Sequence, residues 1–161
     1  WIFLTNSVCA IYMKNFCLNT IVKNIQNYLP MHRQIAWQLD NSENQLLPKM
    51  QTDIMLSQGN NILIIDAKYY SHMTQQQYGT NTLHSNNLYQ IFTYVKNKEF
   101  ELRELEHTVS GMLLYAQTDE DVIPNNTYQM SGNQISVRAL NLNQNFSEIT
   151  KDLDSIVKVH F

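Results

Sequence analysis

The pattern of apolar and polar positions begins with a helix and a hairpin. Residues 8–29 carry apolar side chains close to a helical repeat, and Pro30 follows, so a first helix is predicted there. Two strand-like runs, 49–56 and 62–70, are separated by "SQGNN", which has the composition of a hairpin turn. Between the helix and these runs, "HRQIAWQL" is compatible with a short strand and "DNSENQ" with a loop.

The second half of the chain returns to alternating elements. Residues 71–87 are polar and without periodicity, which predicts a long loop. A helix over about 87–97, capped by Ser85 or Asn86, precedes a buried strand at 111–116.

The last part of the pattern consists of a hairpin and a helix. "TYQM" turns at "SGN" into "QISVRALNL", and a C-terminal helix starts at Ser147. The segment "EFELRELEHT" fits no single element. The order of elements predicts an α/β fold with a mixed central β-sheet flanked by helices.

Composition narrows the class of protein. The 161 residues are 43% hydrophobic and 16% charged, as expected for one globular domain with a core. No apolar run approaches the roughly 20 residues needed to cross a membrane. The net charge of −3 argues against a large basic face for nucleic acid. Cys9 and Cys17 are too few for an iron–sulfur or zinc site and indicate a reducing, cytoplasmic compartment.

Three charged residues interrupt the apolar hairpin. A turn centred on Gly59 and Asn60 pairs residues whose numbers sum to 119, which places Asp53 opposite Asp66. Strand alternation puts Asp66 and Lys68 on one face. Two facing carboxylates in a buried strand pair require a shared proton or a cation, and oxygen ligands suit Mg²⁺ or Mn²⁺. A salt-bridged sheet edge is the simpler explanation of an Asp-x-Lys sequence taken alone, so spacing leaves the metal site open but does not establish it.

The helix over 87–97 adds a polar pair. Gln90 and Tyr94 are four residues apart and therefore share a face. The pair is either a solvated surface contact or part of the same site, with Gln90 orienting water or phosphate and Tyr94 bracing the lysine or the strand.

The motifs together resemble a known nuclease superfamily. "TDIML", "LIIDAKYY", "NLYQIFTYV" and "GMLLYA" are similar, in this order and at these separations, to the PD-(D/E)xK nucleases, and more narrowly to McrC-type nuclease subunits of McrBC-type methylcytosine restriction systems. The resemblance runs from about residue 10 to the C-terminus. It implies a restriction-endonuclease-like fold and Mg²⁺-dependent cleavage of double-stranded DNA.

The resemblance also implies roles for individual residues and partners. Asp53 and Asp66, with the backbone carbonyl of Ala67, resemble the metal ligands; Lys68 resembles the catalytic lysine, and Gln90 and Tyr94 match the helix pair. GTP enters only through a partner, an AAA+ GTPase subunit. This agrees with the absence of a G-K-[ST] phosphate loop in the chain.

Five further residues are candidates for contacts with DNA. The expected set lies in the polar loop and on the following helix: Gln75, Gln76, Tyr78, His84 and Lys96. A mobile loop is the simpler interpretation for the first four, and interaction with the helix dipole for Lys96.

Two departures from the family bear on activity. The family carries a Glu in its first helix, in a stretch like "LYEKF", where this chain has "IYMKNF", and no acidic residue precedes Asp40. The chain also lacks an initiator Met and the N-terminal region by which such subunits engage the GTPase, so residues 1–161 are expected to be one nuclease domain from a longer subunit. The alternatives are a catalytically degenerate nuclease fold that assembles or binds DNA, and a recombination-type nuclease of the same superfamily.

Overall fold

The structure, a computed structural model, describes residues 6–24, 29–31, 33–77 and 79–161. Within these ranges it has three helices and ten strands. In chain order they are α1 (Asn6–Asn24), β1 (Leu29–Pro30), β2 (Gln34–Ile35), β3 (Met50–Gln51), β4 (Ile54–Gln58), β5 (Asn61–Lys68), β6 (Thr74–Gln77), β7 (Thr80–Leu83), α2 (Ser85–Glu101), β8 (Thr108–Ala116), β9 (Asn126–Met130), β10 (Asn133–Leu140) and α3 (Phe146–Lys158).

The central sheet has six strands in the order β1-β4-β5-β8-β10-β9. Strands β5, β8 and β10 run parallel, whereas β1, β4 and β9 pair antiparallel with their neighbours. Helix α2 lies on the crossover between the parallel strands β5 and β8. The predicted fold class, a mixed sheet flanked by helices as in restriction endonucleases, is confirmed.

Helices cover both faces of the sheet, and β5 shows this most clearly. Leu63 and Ile65 pack with α1 and α3, while Ile62 and Ile64 pack with α2. Because strand side chains alternate between faces, a strand covered on both sides is apolar throughout. The prediction that this strand is central is therefore confirmed.

The close approach of α2 to the sheet depends on Gly111 in β8. A Cβ atom at this position would lie 2.8 Å from Ile91 Cγ1 and 2.8 Å from Val95 Cγ2. Glycine is thus required at the contact that brings the polar face of α2 towards β5.

The β4–β5 hairpin has the predicted register. Gly59 adopts a φ of 60° at the turn, and the pairs from Ile54–Ile65 to Gln58–Asn61 all sum to 119. The ladder stops at Ile54, however, and Asp53 lies in a bend between β3 and β4. The predicted strand 49–56 is therefore interrupted, and Asp53 is not a ladder partner of Asp66.

Three other predicted boundaries were wrong. The segment 71–87 is not a structureless loop, since it contains the hairpin of β6 and β7. Its strands carry Thr, Gln and Asn on both sides, so no alternation revealed them. Helix α2 starts at Ser85 with His84 as its N-cap, and no side chain of a described residue caps it. The first helix ends at Asn24 and Leu29 is in β1, while 25–28 lie outside the described residues.

Candidate active site

Beyond the last backbone pair of the β4–β5 ladder, the side chain of Asp53 accepts a hydrogen bond from the backbone of β5. Its Oδ2 accepts a hydrogen bond of 2.9 Å from the backbone N–H of Ala67. The neighbouring Thr52 donates from Oγ1 to the carbonyl of Ile65 at 2.9 Å. Side chains thus replace backbone pairing beyond Ile54, and this brings the Asp53 carboxylate to the end of β5 that carries Asp66.

Asp66 is a buried carboxylate with one oxygen that is not hydrogen-bonded. The residue is only 5% exposed, and Lys68 Nζ lies 2.7 Å from its Oδ2. The contact has the distance of an ion pair without the geometry of a hydrogen bond, so Oδ2 accepts no hydrogen bond from any described residue. A buried carboxylate oxygen requires a cation or a proton, and the Lys68 ammonium supplies that charge in this structure.

The surroundings of Asp66 shift its pKa upwards, to about 6. Burial is the largest cause, the positive charge of Lys68 opposes it, and the negative charge of Asp53 adds to the increase. The two carboxylates therefore interact electrostatically. They do so although Asp53 lies outside the β4–β5 ladder in which the register had placed it opposite Asp66.

Helix α2 holds Lys68 through a chain of hydrogen bonds made by two neutral side chains. Lys68 Nζ donates to Gln90 Oε1 at 2.9 Å, and Gln90 Nε2 donates to the hydroxyl of Tyr94 at 2.9 Å. Tyr94 donates in turn to the carbonyl of Gln51 at 3.2 Å. Burial raises the pKa of Tyr94, which keeps this phenol protonated at neutral pH. Gln90 and Tyr94 therefore contact the lysine and a strand and are not only a surface pair, while their part in the chemistry stays a prediction.

Helix α1 contributes a second lysine that the sequence did not single out. Lys14 Nζ lies 2.8 Å from Asp53 Oδ1. Met13, at the centre of "IYMKNF", is buried in the core between α1 and the sheet. Cys17, one turn after Lys14, has its pKa raised to about 12 by burial and then by the charge of Asp53. The inner face of α1 is therefore close to the Asp53 carboxylate.

The donor set fits a hard divalent cation with few protein ligands. Two adjacent carboxylates, one with a buried oxygen free of hydrogen bonds, provide the oxygen ligands that Mg²⁺ and Mn²⁺ prefer while retaining several waters. In the part of the chain that the structure describes, no group of three or more His, Cys, Asp and Glu side chains could hold a metal. Any ion here would therefore depend on Asp53, Asp66, backbone oxygen such as that of Ala67, and water.

Two of the residues predicted to contact DNA lie in the β6–β7 hairpin. Gln75 Nε2 donates to the carbonyl of Leu83 within the β6–β7 hairpin, and Gln76 is exposed. Tyr78 lies outside the described residues.

The other two predicted DNA contacts are engaged with protein groups. A ring nitrogen of His84 lies 3.3 Å from the carbonyl of His72. Lys96 Nζ donates to the Ser131 carbonyl at 2.9 Å and to Asn133 Oδ1 at 2.8 Å, and it also pairs with Glu99. These contacts use the Lys96 charge within the protein, and a DNA role stays a prediction.

A polar network that sequence reasoning missed extends the site beyond Lys68. Asn87 Nδ2 donates to the Tyr115 hydroxyl at 2.9 Å, and the Tyr70 hydroxyl donates to Asn87 Oδ1 at 3.2 Å. Burial raises the pKa of Tyr115 to about 12. The helical spacing could have indicated Asn87, which is three residues before Gln90 on α2, whereas Tyr70 follows the end of β5, where strand alternation does not apply.

Glu120 is another missed residue, and it fixes the β6–β7 hairpin. Its carboxylate accepts hydrogen bonds from Met73 N–H at 2.5 Å, Thr118 Oγ1 at 2.8 Å and Thr74 Oγ1 at 3.1 Å. Although burial acts to raise the pKa of Glu120, these bonds lower it below its usual value. No sequence pattern pointed to this contact, because it joins loops that are 46 residues apart.

The fold and the site together define a class of protein. A mixed sheet with helices on both faces carries two interacting acids and a lysine at one end of its central strand. In sequence, residues 14–116 match the family of McrBC 5-methylcytosine restriction system components, and the chain belongs to that family. The matched residues contain all five positions predicted to be catalytic.

A curated relative agrees with this assignment. The chain is 36% identical over 108 residues to the type IV methyl-directed restriction enzyme EcoKMcrBC of Escherichia coli strain K12. The aligned region covers 67% of this chain and 30% of that protein, so the chain spans less than a third of the relative's length.

Among the described residues, no helix is long and apolar enough to cross a membrane.

Proposed function

We propose that the chain is the endonuclease domain of a modification-dependent restriction system, and that it cleaves double-stranded DNA with Mg²⁺, or Mn²⁺ in its place. The observation that carries this proposal is the convergence of Asp53, Asp66 and Lys68 at one end of β5, with the buried Asp66 Oδ2 2.7 Å from the Lys68 ammonium. Membership of a family of 5-methylcytosine restriction system components supports methylcytosine-containing DNA as the proposed substrate class.

The contacts of each residue indicate its role in the proposed reaction. The carboxylates of Asp53 and Asp66 and the carbonyl of Ala67 would hold the ion. A bound divalent ion lowers the pKa of a coordinated water and stabilises charge on a phosphate. Lys68 is held between Asp66 and Gln90, so its ammonium has a fixed position from which it orients the attacking water or steadies the scissile phosphate.

Gln90 and Tyr94 act as positioning residues. Gln90 accepts from Lys68 and donates to Tyr94, which is anchored on the backbone of Gln51. An amide suits this place because it can accept from the lysine and donate to the phenol at the same time. The chain of bonds thereby ties the ammonium to the strand that precedes Asp53.

A partner is part of the proposal. The net charge of −3 gives little general attraction for DNA, so most of the affinity is assigned to a second subunit. We assign this role to an AAA+ GTPase of the McrB type, which would recognise the modified DNA and bring GTP to the complex.

Plasmid cleavage tests the proposal. Methylated plasmid is incubated with the chain and Mg²⁺, with and without the GTPase partner, and with Lys68→Ala. Lys151→Ala is the matched control, because it removes an exposed lysine from α3. Cleavage that requires Mg²⁺, is lost in Lys68→Ala and is retained in Lys151→Ala supports the proposal. Cleavage that survives Lys68→Ala contradicts the assignment of the site.

One observation favours a second candidate function. No acidic residue precedes Asp40, and α1 instead directs Lys14 at Asp53. A nuclease fold that binds no metal and serves in assembly or DNA binding would have this arrangement. Calorimetric titration with Mn²⁺ separates the two: a folded protein that binds no Mn²⁺ and still binds DNA supports the second candidate.

A further inference from the structure

Lys14 lies where a cation would compete with it. We propose that Lys14 is a built-in counterion of the candidate metal site, which occupies Asp53 in the absence of a divalent ion and lowers the affinity of the site for one. The inference rests on the proposed function, because it takes Asp53 and Asp66 as the metal ligands.

The position of Lys14 is fixed by the packing of α1. Met13, Cys17 and Ile21 recur at a spacing of four residues and are buried against the sheet, with exposures of 4%, 0% and 1%. Lys14 follows Met13 at the rim of this buried stripe, and its side chain is 24% exposed. A helix anchored in this way keeps the base of the Lys14 side chain within reach of Asp53.

The carboxylate of Asp53 has no uncommitted oxygen in this arrangement. Oδ1 contacts Lys14 at 2.8 Å, and Oδ2 accepts from the Ala67 N–H at 2.9 Å. A divalent ion must therefore displace the ammonium from Oδ1 or bind beside it against its repulsion. Both routes reduce the affinity of the site for the ion, because the Lys14 ammonium and a divalent ion that are both close to Asp53 repel each other strongly in a partly buried site.

The sum of the formal charges in the site also indicates that Lys14 lowers its affinity for a divalent ion. The site contains two acids, Asp53 and Asp66, and two lysines, Lys14 and Lys68, so with all four ionised its formal charge is zero. Lys68 already balances Asp66. Without Lys14 the site would carry a net charge of −1 and attract a divalent ion more strongly.

Calorimetric titration of Mn²⁺ into the 161-residue chain tests the inference. Lys14→Met keeps the apolar stem and removes the charge, and it should tighten Mn²⁺ binding by roughly fivefold or more. Lys14→Gln, a second neutral variant, should do the same, whereas Lys14→Arg keeps the charge and should bind as the unmodified chain does.

The controls locate the effect. Lys23→Met removes an exposed lysine from the last turn of the same helix and should leave the affinity unchanged. Asp53→Asn combined with Lys14→Met should abolish the gain. Thermal unfolding of each variant, followed by circular dichroism, verifies that the proteins compared are folded.

The outcomes separate this inference from the proposed function. Binding by the unmodified chain that is unchanged or weaker in both neutral Lys14 variants overturns the inference and leaves the metal site standing. Binding that appears only in the neutral variants supports the inference. Failure of every folded variant to bind Mn²⁺ overturns both.

Discussion

The two helices that reach the site differ in the kind of side chain that they contribute to it. Helix α2 contributes neutral groups, Gln90 and Tyr94, whose hydrogen bonds position Lys68 without changing the charge of the site. Helix α1 contributes a charge, because Lys14 pairs directly with Asp53. Neutral support fixes geometry, whereas a charged contact also sets how strongly the site attracts a cation. The α2 half contains the Gln90–Tyr94 pair that the resemblance led us to expect, and the α1 half contains Lys14, which it did not.

The largest effect is expected from Asp66, which lies between the two halves. Asp66→Asn should reduce DNA cleavage by about 10³-fold or more, because the amide cannot replace a charged metal ligand. Methylated-plasmid cleavage at saturating Mg²⁺ measures this loss.

The same substitution should make the folded protein more stable at pH 7. The pKa of Asp66 is about 6 in the folded protein against 3.8 unfolded, so its contribution to stability is complete below pH 3.8 and is lost as the pH rises towards 6. At pH 7 the buried carboxylate is ionised and destabilising, whereas the amide introduced by Asp66→Asn carries no charge. We expect an increase of about 1–3 kcal/mol in the free energy of unfolding in urea. A decrease would show that the ion pair with Lys68 outweighs burial.

Removing the neutral support should have the next largest effect. Gln90→Ala leaves the Lys68 ammonium without its amide acceptor, and cleavage should fall by about 10- to 100-fold, the value of a hydrogen bond to a charged group. Mn²⁺ affinity should change little, since Gln90 is not a predicted metal ligand. A large loss of Mn²⁺ binding in this variant would contradict the division of roles between the helices.

The contact of α2 with the sheet can be disturbed without touching the site. Gly111→Ala places a methyl group 2.8 Å from Ile91 and Val95, and should lower the free energy of unfolding by about 1–3 kcal/mol. The displaced helix should also lower cleavage when the folded fraction is held constant. Urea unfolding combined with cleavage tests both, and an unchanged protein would mean that the packing of α2 relaxes freely.

The smallest effect is expected at the end of the hydrogen-bond chain. Tyr94→Phe keeps the buried ring but removes the hydroxyl that joins Gln90 to the carbonyl of Gln51. Cleavage should fall by about two- to tenfold, the net value of one or two neutral hydrogen bonds. A loss as large as that of Asp66→Asn would give Tyr94 a direct role in the chemistry.

The sequence predicted the sheet and the α2 half of the site better than it predicted the α1 half. The β4–β5 register and the Gln90–Tyr94 pair follow from local spacing, which a turn of known length or a helical repeat determines. The contact between Lys14 and Asp53 joins residues 39 positions apart and depends on how α1 packs, which no local pattern encodes. The β6–β7 hairpin was missed for a related reason, since its polar strands are held in part by Glu120 from a distant loop.

The break in the strand at Asp53 was also beyond the sequence pattern. "KMQTDIML" reads as one strand-like run, but Thr52 and Asp53 use their side chains where backbone pairing would continue. This exchange of side chain for backbone is what brings the Asp53 carboxylate to Ala67 and so beside Asp66.

The central claim is that Asp53 and Asp66 share one divalent ion beside Lys68. A crystal structure of the chain soaked in Mn²⁺, with anomalous diffraction recorded at the manganese edge, tests it most directly. We expect a single anomalous peak between the two carboxylates, with Lys14 moved away from Asp53 Oδ1. A well-ordered site with no peak between these carboxylates, or with manganese bound by other residues, would contradict it.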